Sequence, residues 1–136
     1  MDAPRTRVVI FLHSGDYDRM HQALSIAASA VAQNRPVQLF LFWWALERLI
    51  ADRLDEPDFS PPREDVVERF ESRKLPTLRD LLNHVREAGG CTLYACSGSL
   101  EAVDVERARI ESAVNPVVGW TSILSLTEGV VDRFYL

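Results

Sequence analysis

A chain of 136 residues that is 47% hydrophobic and 26% charged can bury a full core without disulfides or structural metals. Its net charge of −5, with 15 Lys and Arg scattered along the chain, argues against a nucleic-acid or anionic-membrane surface. The longest apolar stretch, residues 37–46, falls well short of the roughly 20 residues of a membrane span. The first apolar run, residues 8–12, is too short for a signal core, so a cytoplasmic protein with a single domain over residues 1–136 is expected.

Residues 7–12 (RVVIFL) are a continuous β-branched run, which suits a central parallel strand buried on both faces. The polar turn His13-Ser14-Gly15-Asp16 follows. Asp16 or Asp18 is placed to cap a helix reaching Gln33, with Leu24, Ala27, Ala28 and Val31 at helical spacing. Asn34 and Pro36 end it. Residues 37–42 (VQLFLF) read as a second strand. Trp43-Trp44 come next, then a helix over 45–54 with Leu46, Leu49, Ile50 and Leu54 on one face. Residues 55–62 (DEPDFSPP) hold three prolines and three acids and read as an exposed, flexible loop. Residues 63–74 suit a short helix with Val66, Val67 and Phe70 inward.

Thr77 and Asp80 have capping-box spacing ahead of a helix carrying Leu78, Leu81, Leu82 and Val85, and Gly89-Gly90 close it. Residues 91–95 (CTLYA) form a third strand. Cys96 and the small-residue turn Ser97-Gly98-Ser99 lead into a helix ending near Val103. Asp104 is placed to cap a further short helix through Ile110. A fourth strand is expected at 113–118, near an edge because of Pro116. A helix over 119–127 and a final strand over 130–136 complete the chain.

This alternation predicts a three-layer α/β/α fold around a mainly parallel five-stranded sheet. A flavodoxin-like strand order, 2-1-3-4-5, is the first expectation. It makes the first and third strands neighbours and puts a topological switch point between their carboxyl ends. His13-Ser14 and Cys96-Ser97 then meet where such folds hold ligands, with Trp43 and Trp44 on the same edge.

Cys91 and Cys96, at opposite ends of one strand, lie roughly 16 Å apart, whereas a disulfide needs Cα atoms within about 7 Å. Two readings are open for Cys96. Near a helix N-terminus it is a reactive thiol; as a buried strand-end residue it is a small hydrophobe. Cys91 reads as core filler. His13 suits either a proton acceptor for Cys96 or a turn histidine bonded to a backbone carbonyl. Ser14 and Gly15 suit an anion-binding turn or a plain helix cap. One of Trp43 and Trp44 is expected in the core, the other against the Cys96 pocket or in a subunit interface, and Trp120 on the same edge. His13, His21, His84 and Cys96 lack metal-ligand spacing, and no GxGxxG, P-loop or GxSxG occurs, so neither metal nor cofactor is expected.

Taken in order, VVIFLHSGDYD, the alanine-rich helix, VQLFLFWWAL, KLPTLRDLLNHVREAGG, LYACSGSLEAVDVE and VVGWTSILSLTEGVVDRFYL resemble the DsrE/DsrF-like family over nearly the whole chain. These are small α/β proteins of sulfur relay. The resemblance implies a DsrE-like fold and a sulfur-transfer role in which Cys96 carries a persulfide to or from a partner protein. It also implies a homo-oligomer, trimer or hexamer. Ser97, Gly98 and Ser99 would shape the pocket. Some relatives are loosely called peroxiredoxin-like, but a PxxxTxxC-type motif is absent and no second cysteine is within reach to resolve a sulfenic acid. Two alternatives stand beside this reading: a ligand- or partner-binding member of the same fold in which Cys96 is incidental, and a redox enzyme that borrows a resolving cysteine from another chain. Glu101 and Asp104 would oppose a Cys96 thiolate if they faced it.

Overall fold

The structure, a computed structural model, describes residues 6–106, 109, 114 and 116–136. Its strands are β1 (Val8–Leu12), β2 (Val37–Leu41), β3 (Cys91–Cys96), β4 (Val117–Val118) and β5 (Asp132–Tyr135). Its helices are α1 (Tyr17–Ala32), α2 (Trp43–Ile50), α3 (Glu64–Ser72), α4 (Leu78–Ala88), α5 (Ser97–Val103) and α6 (Trp120–Leu126). Every strand pair is parallel, as the helix between successive strands requires.

The strand order is 4-3-2-1-5, not 2-1-3-4-5. Strand–helix alternation fixes parallel pairing and handedness but not the side to which each crossover steps. Here β1 to β4 step in one direction, and only the return to β5 reverses, to the far side of β1. β2 therefore separates β1 from β3, and the switch point lies between β1 and β5.

That connectivity sorts the core into two unlike halves. Val8, Ile10, Leu12, Val37, Leu39, Leu41, Leu93 and Ala95 face one way and are covered by α1, α2, α4 and α5. The intervening residues Val9, Phe11, Phe40, Phe42, Tyr94 and Cys96 face the other way, against Ile123 of α6 and Val130. The second face is the aromatic one. In-register pairing aligns Tyr94, Phe40, Phe11 and Tyr135 in one row across β3, β2, β1 and β5. Adjacent ring centres are 4.5, 5.5 and 4.8 Å apart, with planes within 16° of parallel. This is what strands spaced about 4.8 Å apart impose on rings of like rotamer.

Local signals divide into those the chain follows and those it replaces. The Thr77 hydroxyl accepts from the Asp80 N–H at 3.2 Å, and the Asp80 carboxylate accepts from the Thr77 N–H at 2.9 Å, a complete capping box for α4. Thr77→Ala should cost about 1 kcal/mol in chemical denaturation; a loss under a few tenths would mean the box is redundant with the tertiary packing of α4. Asn34 takes the left-handed conformation (φ 60°) just past α1. Asp16 holds the N-cap position of α1 but its side chain makes no capping bond. Instead the Ser14 hydroxyl accepts from the Asp16 N–H at 3.0 Å.

The proline-rich loop at 55–62 makes side-chain contacts with the body of the fold. Asp55 pairs with Arg79 and Asp58 with Arg48, and the Phe59 ring meets Tyr17 edge-on at 5.6 Å. Asp104, expected to start a helix, ends α5 in a left-handed conformation (φ 51°). Of the helix expected from Asp104 through Ile110, residues 107, 108 and 110 lie outside the described residues, as do 113 and 115 of the strand expected at 113–118, which is found at Val117–Val118.

Candidate functional site

Where β1, β2 and β3 end, their aromatic faces open into a cleft of about 700 Å³. Phe11, Phe42 and Cys96 come from the strand ends, and Gly98, Ser99 and Ala102 come from α5. His13, Trp43, Trp120 and Tyr135 form the rim with Leu136. The size lies in the range of small-molecule sites, and the position, at the carboxyl ends of parallel strands, is where open α/β sheets hold ligands.

Cys96 is there because β3 alternates. Leu93 and Ala95 enter the aliphatic core, so Tyr94 and Cys96 enter the aromatic one. It is the last residue of β3 and the N-cap of α5, and it is a free thiol with only 5% of its surface exposed. Glu101 and Asp104 are not part of its cleft. They border a separate groove on the other side of α5, with Ser97, Leu100 and Val117. The repulsion that two carboxylates facing the thiol would bring does not arise from them.

His13 shares the cleft but is not beside Cys96. With β2 between their strands, the two backbones stand two interstrand spacings apart, roughly 10 Å. The His13 N–H donates to the Leu136 carbonyl at 2.8 Å, its carbonyl accepts from the Ala45 N–H at 3.2 Å, and its ring leans on Trp43 at 6.5 Å. The neighbouring of β1 and β3 that would have set His13 beside Cys96 is not found.

Ser14 and Gly15 face a neighbouring groove of about 580 Å³, with Trp44, Arg19 and Arg48. Gly15 is required there by space. A Cβ on it would lie 2.7 Å from the Trp44 carbonyl oxygen, and the Gly15 carbonyl accepts from Arg48 at 3.1 Å. The turn is a packing joint between β1 and α2.

Neither Trp43 nor Trp44 is core; both are exposed. α2 spends its buried face on Ala45, Leu46, Leu49 and Ile50, which leaves its first turn on the sheet rim. Trp43 lines the cleft with its backbone at φ 44°, a left-handed conformation that costs a bulky side chain of order 1–3 kcal/mol. Trp120 stands at the start of α6, stacked on Phe42 at 5.2 Å and on Phe11 at 6.0 Å. The cleft thus joins Cys96, His13, Trp43, Gly98, Ser99 and Trp120 of the expected set, while Ser14, Gly15, Trp44 and Ser97 look elsewhere. Phe11, Phe42, Ala102, Tyr135 and Leu136 complete it and were not singled out in the sequence. Stepping by two along each strand from the face of Cys96 finds the two phenylalanines; the β5 residues follow only once β5 is known to flank β1.

Cys91 sits half-buried at the other end of β3, and burial pushes its thiol up to about 12, above the ~8.5 of a free cysteine. The unfolded chain therefore loses this proton first. The associated stability is fully present below about pH 8.5 and is lost as pH rises toward the folded value. Thermal melts across this window should fall more steeply for the native chain than for Cys91→Ala. Parallel slopes would assign the alkaline loss to other groups.

Among the described residues, no group of three or more His, Cys, Asp and Glu side chains is placed to hold a metal ion. Nor is any helix long and apolar enough to cross a membrane. No family model matches the chain, and no curated protein matches it.

Proposed function

We propose that this protein is a DsrE/DsrF-like sulfur carrier of the cytoplasm in which Cys96 accepts a sulfane sulfur and passes it on. The observation that supports this best is a free cysteine opening into the cleft at the carboxyl end of the sheet, with no Asp or Glu side chain among the described residues lining that cleft. The Cys96 thiolate attacks the outer sulfur of a persulfide donor, R–S–SH. The Sγ–S bond forms, the donor's S–S bond breaks, and the electron pair leaves on RS⁻. An acceptor thiolate then attacks the outer sulfur of Cys96–S–SH and regenerates the Cys96 thiolate. No net oxidant is needed, and no second cysteine. Cys91, some 16 Å away along the strand, takes no part.

A homo-oligomer, trimer or hexamer, is part of the same reading. Leu124 and Val131 leave apolar surface exposed on and beside α6, where a single short helix covers the aromatic face. Intact-mass measurement after incubation with an organic persulfide should show one added sulfur, located on Cys96 by peptide mapping and absent from Cys96→Ser. Uptake by Cys96→Ser at the native level would remove the proposal.

The 5% exposure of Cys96 favours a second reading, a binding protein of the same fold in which the thiol is a wall of the pocket. Alkylation no faster than that of an unfolded cysteine would select it.

A further inference from the structure

The chemistry of the cleft bears on what enters it. We infer that it takes an uncharged, planar aromatic molecule, stacked on the exposed faces of Trp120 and Tyr135, and not a small inorganic anion such as thiosulfate. This rests on the cleft proposed above as the site, but not on sulfur transfer.

Three observations converge. The first is charge. Among the described residues, no Lys, Arg, Asp or Glu lines the cleft. The guanidinium of Arg133 lies 5.5 Å from the Phe11 ring centre, yet it donates to the Thr127 carbonyl at 2.9 Å and is not part of the lining. An anion would leave water here with no cation to receive it.

The second is ring orientation. Trp120 lies within 16° of the Phe11 and Phe42 planes, and Tyr135 within 9° of the Phe11 plane. The two rim rings are thus nearly parallel to each other, set by the rings beneath them. A flat π system lies parallel to either open face without any side chain having to turn, which keeps the ordering cost of binding low.

The third is exposure. Trp120 is 52% and Tyr135 68% exposed although they sit beside a close-packed aromatic row. Their open faces are the part of that row left unstacked. Aliphatic ligands would gain the same apolar burial, but not the stacking contribution that two such faces offer. His13, Ser99 and the Cys96 thiol supply the few polar contacts that orient a ligand in a mostly apolar site.

The test is a binding titration of the full chain, read by tryptophan fluorescence and calorimetry, with 2-naphthol, its saturated analogue decahydro-2-naphthol, and thiosulfate. The aromatic probe should bind about tenfold more tightly than the saturated one, the gain expected from two stacking faces. Thiosulfate in excess should not displace it. Tyr135→Leu should weaken the aromatic probe about threefold and the saturated probe less, while Cys91→Ala, at the far end of the sheet, should bind both as the native chain does. Trp120→Leu should behave like Tyr135→Leu; because Trp120 also packs on Phe11 and Phe42, the exposed Tyr135 carries the test if that variant fails to fold. Equal affinity for the two naphthols, competition by thiosulfate, or an unaltered preference in Tyr135→Leu would overturn the inference. So would absence of probe binding in a chain whose cleft is sealed by a second copy, seen as a dimer that Tyr135→Leu dissociates. The titration contains no sulfur donor. A chain that stacks the probe but takes up no sulfur would sink only the carrier reading, and one that takes up sulfur while binding both naphthols alike would sink only this one.

Discussion

Phe40→Ala is expected to destabilise the protein by about 3–5 kcal/mol, a fall in melting temperature on the order of 10–20 °C. Phe40 is among the largest fully buried side chains, and it stands at the middle of the sheet, on β2. Its ring bridges Tyr94 at 4.5 Å and Phe11 at 5.5 Å, so truncation both empties a cavity and cuts Tyr94 off from the Phe11–Tyr135 pair. Backbone hydrogen bonds on either side hold the strands at fixed spacing, so the neighbouring rings have little freedom to close the void. Phe40→Leu separates the two contributions. It keeps most of the volume and loses the two ring pairs, and it should cost about 1–2 kcal/mol. Near-UV circular dichroism should fall in both variants, since the row couples Tyr94 and Tyr135 through two phenylalanines. Equilibrium denaturation showing less than about 1.5 kcal/mol for Phe40→Ala would mean the aromatic face is loosely packed. The cleft built on it could not then be pre-formed.

The parts of this fold that the sequence made legible are those governed by local chemistry. The apolar runs of β1 and β2, the Thr77–Asp80 box, the left-handed Asn34 and the Gly89-Gly90 stop each act within a few residues, and each is found where its chemistry puts it. The strand order was not legible, because a right-handed crossover is equally right-handed to either side of its starting strand. That one ambiguity carried the error at the site. Placing β3 beside β1 put His13 against Cys96, whereas the observed order inserts Phe42 and Trp43 between them. The contact between Trp44 and Gly15 was hidden for a different reason. A glycine in a polar turn suits an anion-binding loop or a plain helix cap, whereas its place here, admitting the Trp44 carbonyl at close range, depends on an element 29 residues further on. The aromatic character of the cleft was present in the sequence as a period of two, Phe40 and Phe42 against Leu39 and Leu41. It became a site only when β5 delivered Tyr135 to the flank of Phe11.

The same joint makes Arg48 the second residue on which the structure depends heavily. Only 4% of it is exposed, and its guanidinium binds three segments at once. It donates to the Gly15 carbonyl at 3.1 Å and to the Arg53 carbonyl at 2.8 Å, pairs with Asp58, and lies over the Tyr17 ring at 5.3 Å. Arg48→Met keeps the buried stem but removes every donor. Two carbonyls then lose a charged partner and the loop at 55–62 loses its anchor, for an expected loss of about 2–4 kcal/mol. Asp58→Asn should cost under about 1 kcal/mol, because Asp58 is exposed and water replaces its side of the pair. Burial raises the Tyr17 hydroxyl above its ordinary value while Arg48 pulls it down, so Arg48→Met should also raise the tyrosine titration seen by ultraviolet absorbance. Hydrogen exchange should locate the effect. Amides of residues 13–16 and 53–60 should lose protection before those of β1 and β2, since the turn beside Trp44 is held by this guanidinium and the central strands by their neighbours. If Asp58→Asn proved as costly as Arg48→Met, the ion pair rather than the two carbonyl bonds would be what fastens the loop, and stability would then fall with added salt. With the carbonyl bonds dominant, salt should leave it nearly unchanged, because a buried donor on a neutral acceptor is little screened.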